Sequence, residues 1–480
     1  MSKEKSMEVG MVWSLVDVKL LLTSLLVLCS LATVLQLLPS LSCLSSTTTT
    51  TTTSQSQVLN FSTPNPPKET LDLHSGIVKR AFNAVGSAAY LFVQMGAYRG
   101  GANTFAIVGL GSKPLHVFSN PTFRCVWIPH SDTNRSIATT GYKILPDWGY
   151  GRVYTVVVVN CTFPEDVGVN GSGGQLVVHA TTGGGGDKGL DLEESFVAID
   201  EKQGSFNMTE LTSAPPKHDI LYCGSSLYGN LSPQRVREWM AYHVRLFGPR
   251  AHFVFHDAGG VHPEVLDVLR PWMAMGILTL QDIREQERFD GYYHNQFLIV
   301  NDCLHRYRHA AKWMFFFDID EFLYIASKST LRSLLDSLSG YTQFTIEQMP
   351  MSNKLCLSSD AGKTPRMWGF EKLVYRDVKR GVRRDRKYAI QPRNVFATGV
   401  HMSQNVAGRT LHKLDGRIKY FHYHGTISDR REPCRQFVNA TDLIFENSPY
   451  VFDNTLRVLA GSVKRYELKA IGSRLVRTRQ

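Results

Sequence analysis

The spacing of apolar residues changes character at about residue 214. Between 76 and 213 they come as short continuous or alternating runs: "AAYLFVQMGAYR", "TFAIVGLG", "FRCVWIP", "GRVYTVVVVNCTF", "GQLVVHAT" and "ESFVAID". Gly, Pro and Asn punctuate these runs, and strands at such spacing predict an all-β, sandwich-like or small-barrel domain. "TTGGGGDKG" reads as a loop, because glycine loses the most freedom when fixed inside an element. After the proline-marked "APPKHD" the pattern alternates. "DILYCGSSLYG", "AHFVFHDAGG", "ILTLQDI" and "KWMFFFDIDEFLY" are short buried-strand runs. Between them "SPQRVREWMAYHVRLFG", "PEVLDVLRPWMAMG" and "HNQFLIVNDCLHRYRHAA" carry apolar residues at helical spacing. Ser232 is an N-cap with Pro233 at the first helical position, and Gly248 closes that helix. Strands alternating with helices predict an α/β domain over 214–480, with a mostly parallel sheet covered on both faces.

The N-terminal pattern is different again. Residues 20–38, "LLLTSLLVLCSLATVLQLL", hold no charge and are just long enough to cross a bilayer as a helix. Lysines precede this segment and none follows until Lys68, so residues 1–19 are expected in the cytosol and the rest in the lumen. A cleaved signal peptide is the alternative. Residues 39–75, rich in Thr and Pro, read as an extended stem that buries no core. Seven N-x-S/T sequons, at Asn60, Asn134, Asn160, Asn170, Asn207, Asn230 and Asn439, fit a lumenal glycoprotein. Seven cysteines follow the hydrophobic segment without a C-x-x-C pair, which excludes zinc ribbons and redox motifs. An oxidising lumen allows pairing, and Cys125 with Cys161 is the expected pair. The odd count leaves one thiol free or joining two copies as a homodimer.

Net charge changes the picture only slightly. The formal +11 is not gathered into a basic tail, so nucleic acid is not an expected partner. The surplus suits an anionic ligand such as a nucleotide diphosphate or an acidic polysaccharide, or simply a basic solvated surface.

The candidate chemistry sits in "KWMFFFDIDEFLY". An apolar parallel strand ends at Phe317, and Asp318 and Asp320 follow at its carboxyl end, where α/β sheets bind ligands. Two carboxylates that close resist joint ionisation unless a cation joins them. All-oxygen ligands suit Mg²⁺ or Mn²⁺, which completes its shell with phosphate and water. The alternative is that both aspartates only cap the next turn. Glu321 is read as a brace rather than a ligand. "AGKTP" lacks the earlier glycine of a P-loop, and no H-E-x-x-H or nucleophile elbow occurs. His401, His422 and His424 are candidates to complete a metal shell. Trp368 beside Glu371 reads as an aromatic platform next to a general base. Tyr98, Trp127, Trp148 and Tyr150 could stack on sugar rings or pack a core. "YRDVKRGVRRDRKY" is a basic run that faces diphosphate, an acidic acceptor or solvent.

Together "LYCGSSLYGN", "REW", "NDCLHRYRHAAKWMFFFDIDEFL", "RKYAIQP", "GVH" and "HYHG" resemble glycosyltransferase family 92, the former DUF23 group, and within it the plant β-1,4-galactan synthases of the Golgi. The resemblance spans about 219–426. It implies a GT-A fold, inversion, UDP-galactose as donor and β-1,4-galactan side chains of pectic rhamnogalacturonan I as acceptor. It also implies a carbohydrate-binding module ahead of the catalytic domain. Carried over residue by residue, Asp318 and Asp320 grip Mn²⁺ and the diphosphate, with His422 as third ligand. His424 stands where many members have arginine and is the rival ligand. Cys223, Ser225 and Tyr228 would contact the nucleotide, Asp257 the uridine, and Lys387 the phosphate. Glu371, or Asp360 as its rival, would take the acceptor proton. Another UDP-sugar or acceptor on the same frame, or a glycan-binding protein without activity, remain alternatives; a glycosidase would need two carboxylates and no metal.

Overall fold

Two strand patterns become two sheets. The computed structural model describes residues 68–478, less 86–89, 114–120, 147–152, 183–192, 213–214, 290–292, 327–328, 382–383, 429, 442–443 and the side chains of Glu210, Thr212 and Ser225. The expected membrane segment, the stem up to residue 67, Cys43, Asn60, Trp148 and Tyr150 lie outside the described residues. Among the described residues no helix is long and apolar enough to cross a membrane.

The hairpin β1 (Thr70–Leu71) and β2 (Val78–Lys79) precedes eight antiparallel strands. These are β3 (Asn83–Val85), β4 (Phe92–Arg99), β5 (Thr104–Ser112), β6 (Thr122–Pro129), β7 (Ile137–Ile144), β8 (Tyr154–Thr162), β9 (Gly174–Thr181) and β10 (Glu193–Glu201). Their order is β10-β9-β6-β7-β8-β5-β4-β3 in one sheet. Of the expected sandwich or small barrel, the single sheet is nearer the second: it rolls over its own core, as accumulated strand twist allows. Phe92 of β4 stacks on Phe196 of β10 at 5.9 Å, and Gln94 donates to the Ala198 carbonyl at 2.9 Å. The Cys125–Cys161 disulfide, the expected pair, spans β6 and β8 across Gly141 of β7. A Cβ at Gly141 would stand 2.8 Å from Phe123 and Val159, so only glycine fits beneath the bridge. Trp127 belongs to this core and offers no exposed stacking face.

The second sheet is parallel in its first half. β11 (His218–Leu227), β12 (Ala251–Asp257), β13 (Leu278–Asp282) and β14 (Ala311–Phe316) lie in the order β13-β12-β11-β14. Its second half is mixed: Lys387–Ile390 runs antiparallel to β14 and to β16 (Gln343–Pro350), and Ile418–His422 joins β16 to β15 (Glu321–Ile325). Both faces are covered, because successive strand residues point to opposite sides. Tyr222, Phe253, Trp313 and Phe315 pack against Trp239, Met240 and Trp272 on one side. Leu221, Cys223, Val254 and Met314 meet Val300, Cys303 and Leu304 on the other. After a short helix α1 (Met208–Thr212), helices α2 (Pro233–Phe247) and α3 (Pro263–Ala274) cover the first face and α4 (Gln296–Arg306) the second. Ser232 caps α2 by accepting from the Arg235 amide, with Pro233 inside its start.

The two sheets share a core. Val93, Met95, Ala106 and Val108, on the outer face of the rolled sheet, pack on Phe297, Leu298 and Ile299 of α4. The boundary expected at 75/76 falls inside the β1–β2 hairpin, and β2 pairs with β13 as an extension of the second sheet. Two-residue strands carry no readable period, which is why the pattern missed them.

Candidate active site

Strand order places the site. β11 and β14 are neighbours whose connections leave in opposite directions, and at such a reversal a crevice opens beyond the carboxyl ends of the strands. Ser226, Leu227 and Tyr228 end β11 there, and Asp318, Ile319 and Asp320 follow β14. Together they line a cleft of about 650 Å³, the size of a small-molecule site.

The turn carrying the two aspartates is held from behind by buried donors. The Tyr222 hydroxyl donates to the Phe317 carbonyl at 2.7 Å, and the Trp239 indole to Glu321 at 2.9 Å and Asp318 at 3.2 Å. The Tyr242 hydroxyl donates to Leu323 at 2.7 Å, and the Tyr423 amide to the Asp320 carbonyl at 3.0 Å. Glu321 braces the turn as expected: its buried carboxylate accepts from the Asp318 amide at 2.7 Å. Burial pushes Glu321 up to about 8, against the pull of Lys387.

Three further charged groups complete the floor. Lys387 Nζ sits 2.8 Å from Asp318 Oδ2. Burial opposes its charge, but Asp318 and Glu321 outweigh that and raise its pKa. His422 Nε2 lies 3.6 Å from Asp320 Oδ1, and the Gln348 amide meets its Nδ1 at 2.6 Å. Burial likewise opposes the His422 charge, yet Asp320 and Glu321 bring it up to about 9. His424 stands edge-on to His422 at 5.2 Å. The Gly425 amide donates to Asp320 Oδ2 at 3.3 Å.

The two carboxylates on the cleft floor are hard oxygen donors that suit Mg²⁺ or Mn²⁺, and the His422 imidazole adds a borderline nitrogen donor beside them. Among the described residues no three His, Cys, Asp or Glu side chains converge as a complete metal cage. An ion that takes one or two protein carboxylates fills its shell with phosphate and water, so this set fits an ion that arrives with a diphosphate.

Asp318, Asp320, Lys387, His401, His422, His424 and Tyr228 therefore meet in one cleft. The other expected site residues do not. Cys223 is fully buried in a disulfide with Cys303 that ties β11 to α4, and offers nothing to a nucleotide. The Ser225 side chain lies outside the described residues, while its neighbour Ser226 faces the cleft and donates to the His294 carbonyl at 2.6 Å. Asp257, at the end of β12, is buried and closes its own loop by accepting from Gly259 and Val261 at 2.8 and 3.0 Å; it does not line the cleft. Glu371 caps a one-turn helix by accepting from the Trp368 amide at 3.0 Å, and Lys464 neutralises it at 2.5 Å. Asp360 is held by Arg457 at 2.5 and 2.9 Å. Neither carboxylate lines the cleft, so neither is placed to take a proton there. Trp368 is buried against Phe370 and is no platform. Tyr98 is no platform either, since its hydroxyl is committed to Asp302.

The cleft also holds groups the sequence reading did not single out. Asp385 and Tyr293 line it, and Tyr293, His294 and Asn295 run through three successive positive φ values at its rim. Strain of that kind collects at functional sites. Among the described residues of the basic run 375–388, only Asp385 and Lys387 line the cleft; Arg386 between them donates to Thr345 and the His412 carbonyl. The alternation of 385 and 387 was the signal available.

Residues 218–456 match the sequence profile of glycosyltransferase family 92. Galactan beta-1,4-galactosyltransferase GALS3 of Arabidopsis thaliana is 56% identical over 100% of this chain and 98% of its own length. GALS2 of the same plant is 60% identical over 84% of this chain and 78% of its own. Among solved structures, the galactosyltransferase LgtC in complex with donor and acceptor sugar analogs aligns over 53% of this chain and 96% of its own at 11% identity, with a TM-score of 0.24, a likeness that carries no argument.

Proposed function

The chain belongs to glycosyltransferase family 92, and from that premise we propose that it is an inverting, metal-dependent β-1,4-galactosyltransferase of GT-A type. On this reading it moves galactose from UDP-galactose to the non-reducing end of β-1,4-galactan side chains of pectic rhamnogalacturonan I. The observation that carries the reading is the cleft at the β11–β14 reversal, with Asp318, Asp320, His422 and Lys387 on its floor.

Asp318, Asp320 and His422 would hold Mn²⁺, with His424 beside them, and the bound ion supplies Lewis-acid stabilisation of the charge on the departing UDP. The chain's own residues do the rest. Lys387 exchanges Asp318 for a phosphate oxygen and adds a second positive charge to the leaving group. Glu321, Trp239 and Tyr222 fix the turn, so the two carboxylates need not reorganise when the donor binds. Tyr228, half exposed at the end of β11, offers a ring face to the nucleotide. Attack from the face opposite UDP turns an α-linked donor into a β-linked product.

The rolled sheet is proposed as a carbohydrate-binding module, and the chain as a single-pass Golgi protein with its body in the lumen. The six cysteines among the described residues form three disulfides, Cys125–Cys161, Cys223–Cys303 and Cys356–Cys434, which supports an oxidising compartment. The remaining lumenal thiol, Cys43, would be free to join two copies as a homodimer.

The test is direct. Purified protein with Mn²⁺, UDP-galactose and β-1,4-galactooligosaccharides should lengthen the acceptor by single galactose units, and Asp318→Asn should abolish this. No product with this acceptor from any of several UDP-sugars would overturn the assignment.

A further inference from the structure

With Glu371 and Asp360 committed elsewhere, the transfer reaction needs another proton acceptor, and the cleft lining supplies one. His401 lies at the tip of the segment 398–403, which three fully buried polar side chains hold in place. Asn301 of α4 donates to the Thr398 carbonyl at 2.8 Å and accepts from the Thr398 amide at 2.8 Å. The Tyr388 hydroxyl donates to the Gly399 carbonyl, and its ring stacks on Phe316 of β14 at 5.0 Å. Gln343 accepts from the Ser403 amide at 2.7 Å and donates to its carbonyl at 3.0 Å. So much buried hydrogen bonding fixes a segment whose one group able to exchange a proton near neutral pH is the His401 imidazole.

The imidazole is oriented as well as placed. Its Nδ1 lies 3.2 Å from the Arg386 carbonyl, an acceptor only, so Nδ1 carries the hydrogen. The Nε2 lone pair is then left free at the cleft surface. Burial and the nearby Lys387 hold the ring below its ordinary pKa, while Asp385 pulls the other way. Asp385 and Lys387 are alternate residues that both line the cleft, so the carboxylate stands on the same wall as the ring.

We propose that His401 is the general base of the transfer reaction, taking the proton of the attacking acceptor hydroxyl on Nε2, with the Arg386 carbonyl fixing its tautomer and Asp385 stabilising the imidazolium. This rests on reading the cleft as a glycosyl-transfer site. In the step, the hydroxyl oxygen forms the new bond to the sugar's anomeric carbon. The bond from that carbon to the diphosphate oxygen breaks, and its electron pair leaves with UDP. The hydroxyl proton passes to Nε2, and the imidazolium later releases it to water.

His401 keeps an exposed side while the cleft wall desolvates part of its ring, so its replacement should leave the fold intact. Four measurements on wild type, His401→Ala, His401→Gln and Asp385→Asn test the assignment: kcat and KM for transfer to galactooligosaccharide, UDP affinity by titration with Mn²⁺, rescue by added imidazole, and the unfolding midpoint. Both His401 variants should lose about 10²–10⁴-fold in kcat. Their UDP affinity should stay within about threefold and their midpoints unchanged, with imidazole restoring part of the rate to His401→Ala alone. Asp385→Asn should lose about tenfold in kcat without rescue. A His401→Ala enzyme that keeps more than about a tenth of the wild-type kcat would overturn the proposal. So would a loss of UDP affinity or of folding that accounts for the missing rate. If the wild type itself moves no galactose, the galactosyltransferase reading falls and takes this one with it; if the wild type transfers and His401→Ala matches it, only the base assignment falls.

Discussion

Replacing Asp302 by Asn tests how far the two sheets depend on one buried ion pair. Arg80, just after the β1–β2 hairpin, and Asp302 of α4 have fully buried side chains. The carboxylate accepts from Arg80 Nη1 at 2.6 Å, from Arg80 Nη2 at 2.9 Å and from the Tyr98 hydroxyl at 2.5 Å. Burial opposes its charge, but Arg80 and Arg306 outweigh burial and hold it well below the usual carboxylate range. An amide in its place keeps one acceptor and turns an NH₂ group toward a guanidinium. Two charge-assisted hydrogen bonds at about 1.5–3 kcal/mol each give about 3–6 kcal/mol. The cost of stranding a buried charge, about 3–5 kcal/mol, agrees. Glu69, 3.0 Å from Arg80 Nε but partly exposed, offsets a small share, so about 4 kcal/mol is expected. Urea unfolding followed by tryptophan fluorescence at neutral pH measures it. The double variant Arg80→Met/Asp302→Leu should recover most of the loss, since Arg306 keeps Glu69 as a partner and no fully buried charge is then stranded. The pH dependence has a definite sign. A carboxylate with a depressed folded pKa contributes fully above its unfolded value of 3.8 and loses that contribution as pH falls through the folded one. The gap between wild type and Asp302→Asn should therefore be flat near neutrality and narrow below about pH 4. An Asp302→Asn protein within about 1 kcal/mol of wild type, or a double variant no better than the single one, would refute the reasoning.

Cys223→Ser with Cys303→Ser opens a disulfide between residues 80 apart and should cost about 4 kcal/mol, read as a lower urea midpoint; an unchanged midpoint would show that packing alone ties β11 to α4. His243, His256 and His305 are buried and pushed down to about 3 from 6.5. Unfolding lets them take up protons below 6.5, so these three rings should lower stability as pH drops from 6.5 toward 3, by about 1 kcal/mol for each ring at about pH 5.5, while Glu321 and His422, raised to about 8 and 9, act in the opposite sense. The check is the difference in urea stability between wild type and His256→Gln, which should narrow by about 1 kcal/mol as pH falls; a difference that stays level from about pH 7.5 to 5.5 would contradict this. Lys387→Met should lower kcat/KM for the nucleotide-sugar donor by about 10²-fold, and a change under threefold would remove Lys387 from the diphosphate.

Local pattern and long-range partnership were not equally readable. An apolar run that ends in Asp318 and Asp320 gives a buried strand with its carboxyl end charged, because both facts are written within a few residues. The cleft bears this out, and it brings Lys387 and His422 to the same floor. Glu371 and Asp360 were equally plausible as isolated carboxylates. What disarms them is a cation far along the chain, Lys464 for the first and Arg457 for the second, 93 and 97 residues away. Cys223 fails for the same reason, since its partner is 80 residues distant. Asp385 stayed hidden in a run dominated by arginine and lysine. Which of residues 385, 386 and 387 faces the cleft depends on the register that pairs Tyr388 with Phe316, and no local period reports that register. The carboxylates that remain usable in the cleft are those fastened by backbone amides or by groups that a ligand can displace. Asp318 has Lys387, Asp320 has the Gly425 amide, and both can release toward an incoming cation. Glu371 and Asp360 are held in salt bridges away from the cleft, which separates a structural acid from a working one more sharply than its neighbours in sequence do.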